Sequence, residues 1–218
     1  RPADRTGTGK PLDHDRPVAV RLTQILADAN DPAVARPTTF AGPVYAEAEA
    51  KTLAAQRGWT IAPDGPHWRR VVPSPRPVEI PDLRVIRLLL AQGVVVICAG
   101  GGGIPVVRRA DGSLTGVEAV IDKDHASALL ARGIGADALL MLTDVEGVLE
   151  GFGTPEARRI ARLTVDQARR MALPAGSMGP KVAAGQGFVA GGGRLAGIGR
   201  MEDAAAILIG TAGTVISA

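Results

Sequence analysis

Apolar and polar positions fall into two textures along the chain. Before residue 80 the apolar runs are short and interrupted by proline; from residue 82 they lengthen and take helical or strand-like periods. Val18 to Ile25 is rich in β-branched residues with partial alternation and predicts a strand. Residues 28–44 are broken by Pro32, Pro37 and Pro43 and predict a loop-rich excursion. Tyr45 to Gln56 predicts a helix ended by Gly58. HWRRVV, set among the five prolines of residues 63–77, predicts a short edge strand between turns.

Beyond residue 82 the elements alternate. Asp82 to Ala91 predicts an amphipathic helix. The continuous apolar run Val94 to Ala99 predicts a strand buried on both faces, as in a parallel sheet, and it places Cys98 in the core. Asp124 to Ala131 predicts a helix and Ala138 to Leu142 another buried strand. Thr164-Val165-Asp166-Gln167 is a capping box for a helix to Met171. Ala204 to Ile209 reads as helix and Thr214 to Ile216 as a closing strand. This alternation predicts an α/β fold, an open, mostly parallel sheet sandwiched by helices, with a small protruding subdomain. The expected organisation is an irregular lead-in over 1–16, the protruding subdomain and its connections over 17–80, and the α/β core over 81–218. Trp59 and Trp68 are expected to pack within the subdomain.

Composition narrows the classes. Glycine (28) and proline (16) make about a fifth of 218 residues, yet there is no collagen period, and 46% hydrophobic content excludes a disordered chain. One cysteine excludes an internal disulfide framework. No run of eighteen apolar residues and no signal peptide is seen, so the expectation is a cytoplasmic chain without a membrane partner. Net charge is +3, basic residues are dispersed, and aromatics are 3%, which argues against a nucleic-acid partner. His14, His67 and His125 have no ligand spacing, so no protein-held metal is expected. Only Lys10, Lys51, Lys123 and Lys181 are lysines among 25 basic residues. In a chain that otherwise uses Arg, these flag positions to inspect for a compact point charge, with codon bias as an equal explanation of the Arg excess.

Four segments carry candidate chemistry. Gly100 to Gly103, then Ile104, follow an apolar strand, where bare backbone can approach an anion; a flexible loop is the plain alternative. Val120-Ile121-Asp122-Lys123-Asp124 delivers three charges to a helix start. Capping explains one Asp, whereas an ammonium held by a carboxylate suits a transferring phosphoryl group. Leu142-Thr143-Asp144-Val145-Glu146-Gly147-Val148 is a turn just past a buried strand, where a nucleotide could sit. Gly176-Ser177-Met178-Gly179-Pro180-Lys181 opens a helix whose free amides suit phosphate, with Lys181 in the same region. Thr6 to Lys10 only faintly suggests a phosphate loop, with the earlier Gly missing and Pro11 after the Lys.

Taken together, AGGGGIPV (99–106), GVEAVIDKD (116–124), GADALLMLTDVEGV (135–148) and GSMGPK (176–181) resemble, in order, the motifs of carbamate kinases, a branch of the amino acid kinase superfamily. WRRVVPSPRPVEI (68–80), TQILADANDPA (23–33) and GPVY (42–45) resemble that family's protruding subdomain. The resemblance implies reversible phosphoryl transfer between ATP and carbamate, giving ADP and carbamoyl phosphate, in arginine metabolism, by a homodimer. It implies that Lys123 and Lys181 contact the phosphoryl region and the nucleotide phosphates, with Asp124 orienting the lysines. Thr143, Asp144, Val145, Val148, Ser177, Met178 and Gly179 would line the nucleotide site. Gly101, Gly102, Gly103 and Ile104 would hold the carbamate end, and Mg²⁺ would bridge the phosphates of ATP.

The sequence departs from the family in two ways. A GGNA-type segment after the first strand and an HGNGPQ-type segment are not found. Thr39 stands where the family tends to have Lys. The missing glycine loops make a remnant that binds nucleotide or only dimerises the alternative, and the chain, which opens on Arg1 rather than Met, reads as beginning partway through its fold. Gly185 and Gly187 also weaken the helix after Lys181, by roughly 1 kcal/mol each relative to Ala.

Overall fold

The computed structural model describes residues 16–171, 173 and 178–218. Thr6 to Lys10, His14, Gly176 and Ser177 lie outside the described residues. The architecture is α/β and divides into two compact units. One comprises the residues up to Arg21, Asp82–Cys98 and Ser127–Ala218. The other comprises Leu22–Pro81 and Ala99–Ala126.

The first unit is built on a four-stranded sheet, ordered Ala138–Thr143, Leu195–Arg200, Thr214–Ser217, Arg162–Thr164. Ala138–Thr143 runs parallel to Leu195–Arg200, in register from Ala138 beside Leu195 to Thr143 beside Arg200. Helix Met178–Ala190 covers one face, where Leu139, Met141, Ala196, Ile198, Ile216 and Phe188 form the core. Ile207, from the short helix Ala204–Leu208, packs on the other face with Leu195 and Val215. Leu195–Arg200 is absent from the apolar pattern because Gly197 and Gly199 occupy alternate positions. A Cβ on Gly197 would collide with Ile207, and one on Gly199 would lie 2.8 Å from the same side chain. Gly185 does the same for the long helix: a Cβ there would meet Ile216, Ala196 and Met141 at 3.0–3.1 Å. The Thr164 capping box forms as expected, with Gln167 N donating to Thr164 Oγ1 (3.1 Å) and Thr164 N to Gln167 Oε1 (2.8 Å).

The same unit holds the parallel pair Val18–Val20 with Val95–Ile97, beside helix Leu83–Ala91. The expectation of a strand buried on both faces is corrected here. A two-stranded pair cannot cover both its faces, and Ile97 is 56% exposed. Cys98 is only half-buried, rather than core; burial pushes its thiol pKa upward.

The second unit has a sheet ordered Pro77–Glu79, Gln24–Ala27, Ile104–Arg108, Leu114–Gly116, whose central pair is parallel. A three-stranded antiparallel sheet, Thr39–Tyr45, His67–Val72, Thr60–Asp64, carries helix Glu47–Arg57. Two expectations change. The excursion over 28–44 contains a strand, because Pro43 falls at a bulge where the register shifts between Ala41 and Val44. His67–Val72 is the central strand, not an edge, because Pro66 and Pro73 flank it and leave its own amides free to pair on both sides. The guanidiniums of Arg57 and Arg70 each lie over the Trp59 ring, 4.8 Å from its centre.

The single strand expected over Val18–Ile25 is two strands, Val18–Val20 and Gln24–Ala27, one in each unit. Arg21, between them, pairs with Asp82 at 3.1 Å.

Candidate active site

In the second unit the glycine run closes a single tight 3-10 turn, Gly100–Gly102. Ala99 enters it in the left-handed region (φ 53°), and its N–H donates to Thr23 Oγ1 at 2.9 Å. Gly102 N donates to Ala99 O (3.0 Å), Gly103 N to Gly100 O (3.2 Å) and Ile104 N to Thr23 O (2.8 Å). These three amides are committed to the turn, whereas the amides of Gly100 and Gly101 make no backbone hydrogen bond among the described residues. Gly102 and Gly103 both have positive φ, and neither tolerates a Cβ: the first would strike the carbonyl of Ile121, the second the side chain of Ile25.

That contact brings two of the sequence motifs together. Ile121 is buried at the end of an apolar approach, and the helix Lys123–Ile134 begins two residues later. Asp122 is the capping residue. Its Oδ1 accepts from Asp124 N (3.0 Å), His125 N (2.9 Å) and His125 Nδ1 (2.8 Å). Burial alone would raise the pKa of its carboxyl; the hydrogen bonds from the ring and amide of His125, with that of Asp124, outweigh burial and lower it to about 2. With Asp122 accounted for by the cap, Lys123 is exposed at the positive end of the helix, and Asp124 is 6% exposed inside it.

In the first unit Thr143 ends its strand at the carboxyl edge of the sheet and donates to Asp144 Oδ1 at 3.1 Å. Asp144 is exposed and Val145 half-buried. Val148 is placed differently: it has no exposed surface and belongs to the core, and its N–H donates to Thr214 Oγ1 at 2.9 Å. It anchors the return of the loop. Met178, Gly179 and Lys181 begin the helix that lies on this sheet. Met178 and Gly179 are half-buried, while the Lys181 side chain is 5% exposed.

Sequence reasoning missed three residues here. It left open which Asp capped the helix, and it gave His125 no role. It did not see Arg200, an exposed guanidinium beside Thr143 at the same sheet edge, because the two glycines hide that strand.

Comparison with known proteins decides the family. The sequence profile of the amino acid kinase family matches residues 25–196. The chain belongs to the amino acid kinase family. It is 50% identical over 211 residues to the carbamate kinase of Rhizobium meliloti, covering 96% of this chain and 65% of that protein. A crystal structure from Aeropyrum pernix superimposes with a TM-score of 0.85 at 43% identity, over 92% of this chain and 66% of that one. The carbamate kinase from Giardia lamblia bound to AMP-PNP gives 0.84 at 38% identity, over 93% of this chain and 66% of that one. The chain thus spans about two thirds of the length of the relatives that it matches. Among the described residues no helix is long and apolar enough to cross a membrane.

Proposed function

We propose that this chain is a carbamate kinase, transferring a phosphoryl group reversibly between ATP and carbamate. The observation that carries the reading is the 50% identity, over 96% of the chain, to an enzyme of that name. The nucleotide-analogue complex of the Giardia relative supports ATP and ADP as substrates.

In the direction of ATP formation, a β-phosphate oxygen of ADP attacks the phosphorus of carbamoyl phosphate. The bond from phosphorus to the carbamoyl oxygen breaks, and carbamate leaves with the electron pair. Little covalent chemistry falls to the protein in such a transfer; it positions the groups and stabilises charge. Lys123 presents an ammonium at a helix start, where the dipole adds to it. The amides of Gly100 and Gly101 are available to the carbamoyl end. Lys181 neutralises nucleotide phosphate charge, Asp124 orients the neighbouring Lys123, and Thr143, Asp144, Val145 and Met178 line the nucleotide. Gly179 adds its amide. Mg²⁺ would be held mainly by the phosphates and water.

The same reading makes the protein a cytoplasmic homodimer acting in arginine breakdown. The exposed apolar side chains of Val18, Val20, Leu88 and Ile97 in the first unit support self-association; sedimentation velocity tests it, and a strictly monomeric chain would refute it. Activity is tested by following ATP formed from ADP, Mg²⁺ and carbamoyl phosphate. A folded chain that binds ADP without forming ATP would leave a nucleotide-binding protein in place of a kinase.

A further inference from the structure

The first unit contains a recess of about 300 Å³ whose lining includes two arginines. Arg194 immediately precedes the strand Leu195–Arg200, and Arg162 starts the strand Arg162–Thr164. The recess is therefore at the opposite end of the sheet from Thr143. Thr143 lies beside Arg200, five residues and about 17 Å along the strand from Leu195.

The chemistry of the lining is specific. Leu195 and Val215, both buried, form an apolar floor where the short helix Ala204–Leu208 stops covering the sheet. Leu208 and Ile209 form a wall at its mouth, and Ile209 is 76% exposed. Ser217 supplies a hydroxyl. Neither Arg162 nor Arg194 pairs with a carboxylate among the described residues. A recess of this volume, with apolar side chains on one part of its lining and guanidinium and hydroxyl groups on the rest, has the character of a site for a small amphipathic molecule. Both guanidiniums line the recess without an ion-pair partner among the described residues, and a bound anion would use the planar donor fork of each.

We infer that this recess binds a small aliphatic carboxylate, its carboxylate between Arg162 and Arg194 and its hydrocarbon on Leu195, Val215 and Ile209. The apolar floor selects such a molecule over inorganic phosphate, which has no surface to bury there. The site is separate from the nucleotide loop and does not depend on the proposed kinase activity.

Isothermal calorimetry on the full chain with hexanoate tests this. Saturable binding is expected, with a dissociation constant of the order of 1 mM, the range open to so small a ligand. Arg162→Gln and Arg194→Gln should each weaken it about tenfold, as loss of a charge-assisted contact does. Ile209→Glu, on an exposed side chain, should abolish it by placing a like charge at the mouth. All three variants should keep the parent's circular dichroism spectrum. Inorganic phosphate should bind at least tenfold more weakly, hexylamine not at all, and ADP should not displace hexanoate. Absence of binding overturns the proposal. So does binding unchanged in both arginine variants, phosphate binding as tightly as hexanoate, or displacement by ADP.

Discussion

Gly102 packs against the main-chain carbonyl of Ile121 with no space for a side chain between them. Ile121 lies two residues before Lys123, so the glycine turn and the helix that presents the lysine are fixed to each other by backbone contact. Side-chain rearrangement cannot relieve such a contact. Gly102→Ala should therefore shift the Ile121–Lys123 segment, lowering both thermal stability and the rate of ATP formation. Gly116→Ala is the matched control, because Gly116 has no positive φ and nothing lies within 4 Å of its Cβ position. Melting curves and initial rates for the two variants check this; equal effects would mean that the approach to Ile121 is unimportant.

Lys123 is exposed, so removing it should leave the fold intact. As the cation on the transferring group, its loss should lower kcat roughly 10²-fold or more, the usual effect of deleting one preorganised charge-stabilising donor. Lys123→Ala is expected to melt with the parent while its kcat collapses. A fall in KM affinity alone, with kcat kept, would reassign Lys123 to ground-state binding.

Asp122 accepts three hydrogen bonds at the helix start, and Asp122→Ala should cost about 1 kcal/mol of stability. The pH dependence has a defined sign. Its carboxyl titrates near 2 when folded, below the ordinary 3.8, so its contribution is complete above about 4 and is lost as pH falls from there towards 2. Urea titrations of parent and variant should differ most above pH 4 and converge in acid. A gap that stays constant through this window would show that the carboxylate charge does not matter to the cap.

Gly185 and Gly187 lie two residues apart in one helix and should respond oppositely. Gly185 is closely faced by Ile216, Ala196 and Met141, and Gly185→Val should destabilise by about 1–3 kcal/mol through overpacking. Gly187 has open space around it, and Gly187→Ala should stabilise by about 0.5–1 kcal/mol by removing a helix-interior glycine. Denaturant midpoints measure both.

Much of this was legible in the residues, for local reasons. The Thr164–Gln167 box and the stop of a helix at Gly58 are written in single side chains with a fixed geometric role. Lys123 and Lys181 stand out because the chain otherwise uses arginine. Other features depend on partners far away in sequence. Leu195–Arg200 was invisible because its glycines make room for Ile207, a fact of packing rather than of periodicity. The central position of His67–Val72 is set by partner strands on either side, whereas Val95–Ile97 pairs with only one strand and leaves Ile97 exposed. At the site, the motif order was readable, but the distinction between Asp122 as cap and Asp124 as buried neighbour was not; it needed the hydrogen bonds.

The most direct measurement is ATP formation by the purified 218-residue chain from ADP, Mg²⁺ and carbamoyl phosphate, read beside Lys123→Ala. A carbamate kinase gives ATP in proportion to enzyme, and the variant loses roughly 10²-fold or more of that rate. No ATP above the enzyme-free background from a folded parent chain would contradict it, as would equal rates from parent and variant.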